Sequence, residues 1–287
     1  MNVHVPDFDD LAKQEWDYPV IDKDSRGTQL DIKAADADVS GGKISMEEID
    51  RIADYPDAKS VSIFGLRQDA FEYFVKTYGR QFRYIRFFKN KAVEDWSLLE
   101  TLPELEGLYW FHNQKITKLW DMSKNYALKA VELSDFTKLH DLSGIEKAPA
   151  LEWFGFGDAV WSTSEIESLR PFINTNIRRI SFTGKTIRDM DISFIPQMKS
   201  LEVFDFPTNL FMMEEVAQLV GRCPNLEGYS LRPYIETQLF NEETRKADKP
   251  GVLLVGKRKP VLAIEGNEKR IANYVAKFNK IVEENRK

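Results

Sequence analysis

The sequence predicts an α/β solenoid: a curved array with a parallel concave sheet, an N-terminal strand and helix cap, and a C-terminal hairpin and helix cap. Three observations predict it. The first is a unit with apolar residues at its first, fourth and sixth places, seen in Leu105-Glu106-Gly107-Leu108-Tyr109-Trp110. The second is its recurrence, at Phe82/Ile85/Phe87, Leu128/Val131/Leu133, Leu151/Phe154/Phe156, Ile177/Ile180/Phe182, Leu201/Phe204/Phe206 and Leu226/Tyr229/Leu231. Weaker copies flank these at Ala58/Val61/Ile63 and Lys249/Val252/Leu254. The third is the spacing, because successive first anchors are 24, 23, 23, 23, 26, 24, 25 and 23 residues apart. A lone strand of this kind cannot cover its own apolar side chains, so neighbouring units must stack to bury them. Each buried side chain is worth roughly 1.5–3 kcal/mol, so three anchors per unit make stacking decisive.

The ninth place of the unit carries Asn90, Asn113 and Asn209. With them the pattern resembles the leucine-rich repeat family, whose unit is L-x-x-L-x-L-x-x-N/C-x-L at a period of about 20 to 29 residues. Elsewhere Leu66, Phe136, Ala159, Lys185, Tyr234 and Lys257 hold that place, and many leucine anchors are aromatic. The resemblance covers roughly residues 56 to 257. It implies that the asparagines satisfy backbone groups in the turn, and it implies a binding role without naming a partner.

Composition removes several function classes. Over 287 residues, 46 acidic against 40 basic side chains leave a net charge of −6, so no basic field exists to hold phosphates and nucleic acid is not an expected partner. The runs Lys257-Arg258-Lys259 and Lys269-Arg270 lie among acids and read as solvated turns and helix faces. The one cysteine, Cys223, permits no intramolecular disulfide and fits a reducing compartment, where it reads as a small buried hydrophobe. Residues 1–27 contain no apolar run resembling a signal peptide, and no stretch is long enough to cross a bilayer. The expectation is a cytoplasmic protein with no membrane partner. No Gly-rich phosphate loop and no Ser/His/Asp motif is present, so no cofactor is expected.

Taken in order, residues 1–27 read as a strap or tail and 28–55 as the N-terminal cap. Gln29 to Lys33 alternates as a strand, and Ser45-Met46-Glu47-Glu48 is a capping box opening a helix through about Ala53. Between them, the segment from Asp36 to Glu48 resembles an EF-hand loop, making Asp36, Asp38 and Glu48 calcium-ligand candidates. The alignment needs one inserted residue, and the competing reading is a Gly turn before a capped helix. Residues 56–257 form the array, with helices predicted over 69–78 and 213–220, and short convex turns over 96–102 and 141–145. Residues 258–287 form the C-terminal cap. Its hairpin turns at Gly256 to Pro260, and its helix is capped by Asn267 and carries Ile271, Tyr274, Val275, Phe278, Ile281 and Val282 on one face.

Strand alternation turns the third, fifth and seventh places of each unit away from the core, onto the concave surface. The seventh place reads Phe64, Phe88, Phe111, then Ser134, Gly157 and Thr183. Strands about 4.8 Å apart stack those phenylalanines in a ladder and bring Arg86 within cation–π reach of Tyr109. Phe64, Tyr84, Arg86, Phe88, Tyr109, Phe111 and Trp153 are therefore the candidate residues of a face that binds another protein. Self-association through that face and internal covering by residues 1–27 are the alternatives. The eighth place brings His112, Asp135 and Asp158 together, a set able to hold a divalent ion or a general base, or simply to hold turns. The expected function is a non-catalytic protein-binding module. An inhibitor or immunity protein is its narrower form, suited to the acidic charge, and a metal-dependent enzyme or calcium-regulated module is the alternative of another class.

Overall fold

The computed structural model describes residues 5–12, 30–32, 43–157, 164–240 and 247–286. The strands in chain order are β1 (Leu30–Ile32), β2 (Ser60–Phe64), β3 (Tyr84–Phe88), β4 (Gly107–Asn113), β5 (Ala130–Phe136), β6 (Trp153–Gly157), β7 (Glu165–Ile166), β8 (Arg179–Phe182), β9 (Thr186–Ile187), β10 (Val203–Asp205), β11 (Tyr234–Phe240), β12 (Ala247–Leu254) and β13 (Val261–Ala263). The helices are α1 (Phe8–Ala12), α2 (Met46–Asp50), α3 (Gln68–Thr77), α4 (Met213–Arg222) and α5 (Glu268–Asn285). An eight-stranded sheet has the order β1-β2-β3-β4-β5-β6-β8-β10, and every pairing in it is parallel. Third places align without a slip: Ser60 faces Tyr84, then Gly107, Ala130, Trp153, Arg179 and Val203. A shift by one residue would turn every anchor out of the core, so the apolar pattern fixes this register.

Anchors such as Leu105, Leu108 and Trp110 are fully buried in one continuous core with the segments that return between strands. Most returns are single 3-10 turns, at Ser97–Thr101, Met122–Lys124, Ile145–Lys147, Arg170–Phe172 and Ile195–Gln197. Four are launched by an Asp-x-Ser step, in which Asp95, Asp121, Asp141 and Asp191 accept the backbone N–H of the serine two residues on, at 2.8–3.0 Å. The middle residues Trp96, Met122, Leu142 and Ile192 plug into the core. At the strand exits the eighth place adopts left-handed backbone, with φ of 70° at Gly65, 57° at Lys89, 64° at His112 and 59° at Asp135. Asn90 and Asn113, fully buried, then hold the exit turns: the Asn90 carboxamide accepts from the Leu66 N–H (2.7 Å) and donates to the Ile63 carbonyl (2.9 Å).

At the N-terminal end β1 pairs with β2 and continues the sheet, and the Ser45/Glu48 capping box starts α2. The C-terminal end departs from the sequence reading. The parallel sheet stops at β10, extended by a lone bridge between Val203 and Glu227, so the array boundary expected at residue 257 is not where parallel pairing ends. In the Leu226/Tyr229/Leu231 unit, the Tyr229 N–H turns to the Asp205 carboxylate (3.1 Å) and the Ser230 hydroxyl donates to the Phe206 carbonyl (2.5 Å). Side chains take the place of a ladder there. The Lys249/Val252/Leu254 unit is antiparallel, the middle strand of a sheet ordered β11-β12-β13. A parallel return needs a crossover of about a dozen residues or more, whereas six separate β11 from β12, enough for a hairpin. Asn267 does not cap α5 with its side chain, which donates instead to the Ala263 carbonyl at 3.1 Å. Among the described residues, no helix is long and apolar enough to cross a membrane.

Candidate protein-binding face

The third-place row across β3 to β6 reads Tyr84, Gly107, Ala130, Trp153: two aromatic walls around a floor of small residues. The trough is filled by the chain itself. Phe8, Leu11 and Ala12 of α1 form a buried cluster with Tyr84, Ala130 and Trp153, and Tyr109 packs against it. A Cβ on Gly107 would stand 3.0 Å from the rings of both Phe8 and Tyr84, so glycine is what admits Phe8 here. The indole of Trp153 lies across Gly155, where a Cβ would meet it at 2.5 Å. The helix is started by reciprocal bonds between Asp7 and Asp10, the Asp10 N–H donating to the Asp7 carboxylate at 2.9 Å.

Arg86 fastens α1 to the sheet. Its guanidinium pairs with Asp9, lies 5.3 Å from the Phe8 ring centre and 4.6 Å from that of Tyr109. Burial, followed by the nearby Glu132 carboxylate, pushes the Tyr109 hydroxyl up to about 12. Tyr84, 3% exposed, donates to Glu106 at 2.7 Å, and Trp153 is 5% exposed. These residues do come together on the concave sheet, but Tyr84 and Trp153 are covered rather than open. The physical reason is the trough: small side chains at Gly107 and Ala130 leave apolar surface that Phe8 and Leu11 bury, worth roughly 1.5–3 kcal/mol per side chain.

Beside this socket runs the seventh-place ladder. Phe64 and Phe88 have ring centres 5.1 Å apart, and Phe88 stacks on Phe111 at 4.8 Å. All three are half-buried. The Lys89 ammonium lies 5.7 Å from the Phe88 ring centre and the His112 ring 6.1 Å from that of Phe111. Further along the concave side Arg179 pairs with Asp205 at 2.8 Å, bordering an open cavity of about 450 Å³ near Tyr229 and Arg232.

The eighth-place candidates are partly joined. His112 Nδ1 lies 2.7 Å from an oxygen of the fully buried Asp135. Asp158, like Asp36 and Asp38, lies outside the described residues. The Glu48 carboxylate serves the helix cap, accepting from the Ser45 N–H at 2.8 Å and the Ser45 hydroxyl at 2.9 Å. Among the described residues no group of three His, Cys, Asp or Glu is placed to hold a metal ion. Cys223 is half-buried, and burial pushes its thiol up, away from a reactive thiolate.

One feature escaped the sequence reading although its signal was present. The second places Arg83, Glu106, Lys129, Glu152, Arg178 and Glu202 alternate in sign from strand to strand. Arg83 pairs with Glu106, Lys129 reaches Glu106 at 4.0 Å, and Arg178 bridges Glu152 (3.1 Å) and Glu202 (2.9 Å). The Glu202 hydrogen bond, then that of Glu152, raises the Arg178 pKa further above its ordinary value.

No family model matches the chain, and no curated protein matches its sequence. Among solved structures, the fold is similar to an internalin (inlF) from Listeria monocytogenes str. 4b F2365, with 14% identity and a TM-score of 0.44. The match covers 62% of this chain and 48% of the internalin chain, so the chain spans about half the length of that protein.

Proposed function

We propose that the chain is a non-catalytic protein-recognition module, in keeping with its resemblance to leucine-rich repeats, and that its concave sheet takes an acidic, amphipathic segment of a partner. The observation that carries this reading is the filled socket. A short helix with the pattern Phe8-Asp9-x-Leu11 lies on Tyr84, Gly107, Ala130 and Trp153, its acid on Arg86. The occupant displays the chemistry the socket accepts: one aromatic and one aliphatic group three residues apart, with a carboxylate between them. The Phe64, Phe88 and Phe111 ladder extends the contact surface alongside. A partner with the same pattern and a longer apolar flank would gain the ladder as well, and so would displace α1. An inhibitor or immunity role, in which the bound partner is an enzyme, is a narrower form of this reading.

The test compares four full-length proteins in affinity capture from native lysate: wild type, Phe8→Ala/Leu11→Ala to empty the socket, Arg86→Glu, and Phe88→Glu. The emptied variant should retain a protein more strongly than wild type, and both charge variants should lose it. Equal capture by all four would sink the concave-face reading.

A further inference from the structure

We propose that the chain forms a two-fold dimer by antiparallel pairing of β11 with β11 of a second copy. Among the described residues β11 has one sheet neighbour, β12, and its other side is a sheet edge. The edge is seven residues long, Tyr234-Ile235-Glu236-Thr237-Gln238-Leu239-Phe240, with neither the lysine nor the proline that commonly blunts such edges, and its one register irregularity with β12 falls at the far end, between Leu239 and Phe240. Its sequence is self-complementary about Thr237. Antiparallel pairing centred there sets Tyr234 against Phe240 of the second copy, Ile235 against Leu239, Glu236 against Gln238, and Thr237 against Thr237. Aromatic faces aromatic, aliphatic faces aliphatic, carboxylate faces carboxamide, and hydroxyl faces hydroxyl. These are the directly opposed pairs that stabilise antiparallel ladders.

The second copy also completes a groove. One face of the β11-β12-β13 sheet carries Tyr234, Val252 and Leu262 toward α5, where Ile271 and Tyr274 meet them. Between sheet and helix a cavity of about 540 Å³ is left, lined among others by Tyr234, Val252, Ile264, Ile271 and Val275. Phe240 ends β11 just past that register irregularity, and at 66% exposure it is among the most exposed large apolar side chains of the described residues. In the centred register each Phe240 lies beside the partner copy's Tyr234, at the open side of that groove. Two such contacts related by the axis close the assembly at two copies, because each chain spends its one β11 edge on the other. The surface is separate from the concave face, so the two readings stand or fall apart.

The test is sedimentation equilibrium of the full chain from low to high micromolar concentration, with wild type and Phe240→Glu. A reversible dimer whose dissociation constant rises roughly thirtyfold or more in the variant is expected, as for loss of an interface anchor. Phe240 is exposed, so the variant should keep the wild-type circular dichroism spectrum. As an independent readout, Thr237→Cys in a Cys223→Ser background should give a disulfide-linked dimer on mild oxidation, because the axis sets position 237 against itself. Gln238→Cys in the same background should not. A monomer at every concentration, a dimer indifferent to Phe240→Glu, or cross-linking that does not distinguish positions 237 and 238 would each overturn the proposal.

Discussion

Asn113 shows how much one side chain carries in this molecule. Fully buried, its carboxamide accepts the N–H groups of Lys115 (2.9 Å) and Ile116 (2.8 Å) and donates to the carbonyls of Asn90 (3.1 Å) and Val93 (2.9 Å). Asn113→Ala leaves those four backbone groups without their partner and should cost about 2–4 kcal/mol. Asn209 holds the same place in its unit and is exposed, so Asn209→Ala should stay within about 0.5 kcal/mol. Urea denaturation of both variants checks the contrast, and equal losses would refute it. The ninth-place rule was legible for Asn90 and Asn113 because spacing alone locates them. It misled at Asn209, since β10 ends at Asp205 and the chain runs on toward α4, leaving no stacked exit turn to hold. Asn125 was missed for the opposite reason: it stands in a return, at no anchor place, yet is buried and bonded to Trp120 and to the carbonyls of Leu99 and Leu102. His112 and Asp135 were placed together correctly by their shared column. Their left-handed backbone was not foreseen, because neither is glycine, although His and Asp are among the side chains that tolerate it best.

The elements repeat a smaller device, the Asp-x-Ser start of a 3-10 turn, and it ties stability to acid pH. The Ser97 backbone N–H and then its hydroxyl hold Asp95 below the usual carboxylate range, Ser123 does the same for Asp121, and the hydroxyl and N–H of Ser193 do so for Asp191. A lowered folded-state pKa means stability that is complete above the unfolded value, about 3.9 for Asp, and is lost as pH falls through the folded value. Asparagine keeps the accepting oxygen without the charge. The triple variant Asp95→Asn/Asp121→Asn/Asp191→Asn should therefore lose less stability than wild type between about pH 5 and pH 2, read as urea midpoints. Parallel slopes in the two proteins would refute the assignment. At this scale the long elements were legible and the short ones were not. α3 and α4 carry two or more turns of periodic apolar residues, whereas α1 is five residues long, below the length at which a helix declares itself by period or propensity. What betrays α1 is its socket: Gly107 and Ala130, small residues between Tyr84 and Trp153, mark a row that something else must fill.

Over the whole molecule, each strand of the parallel sheet pairs only with the strands beside it, so stability is largely a sum along one axis and the ends are its weak points. At the N-terminal end β1 protects the first unit through backbone pairing. At the other end protection comes from α5, whose Phe278 and Val282 join the core beside α4. The sequence placed the helix there by its apolar face and the β12–β13 hairpin by its turn at Gly256 to Pro260, but it had no means of showing that β11 would join β12 and draw the last unit out of the parallel array, because anchor spacing does not distinguish a parallel strand from a hairpin strand. The contact between α4 and α5 is close enough to turn on one atom. A Cβ on Gly221 would come within 2.5 Å of the Val282 carbonyl oxygen and 2.8 Å of the Asn285 Cβ, and a helix backbone cannot move aside as a side-chain tip does. Alanine is the better helix former by about 1 kcal/mol, so propensity alone predicts that Gly221→Ala stabilises α4. Overpacking, about 1–3 kcal/mol, should win and lift α5 from the array. The one-dimensional architecture then makes a spatial prediction for amide hydrogen exchange. Protection should fall in α5 and α4 and around β10, while β3, β4 and β5 exchange as in wild type. Uniform loss along the chain would mean that the array unfolds as a single unit. Unchanged protection in α5 would mean that the two helices can part by a few tenths of an ångström at no cost.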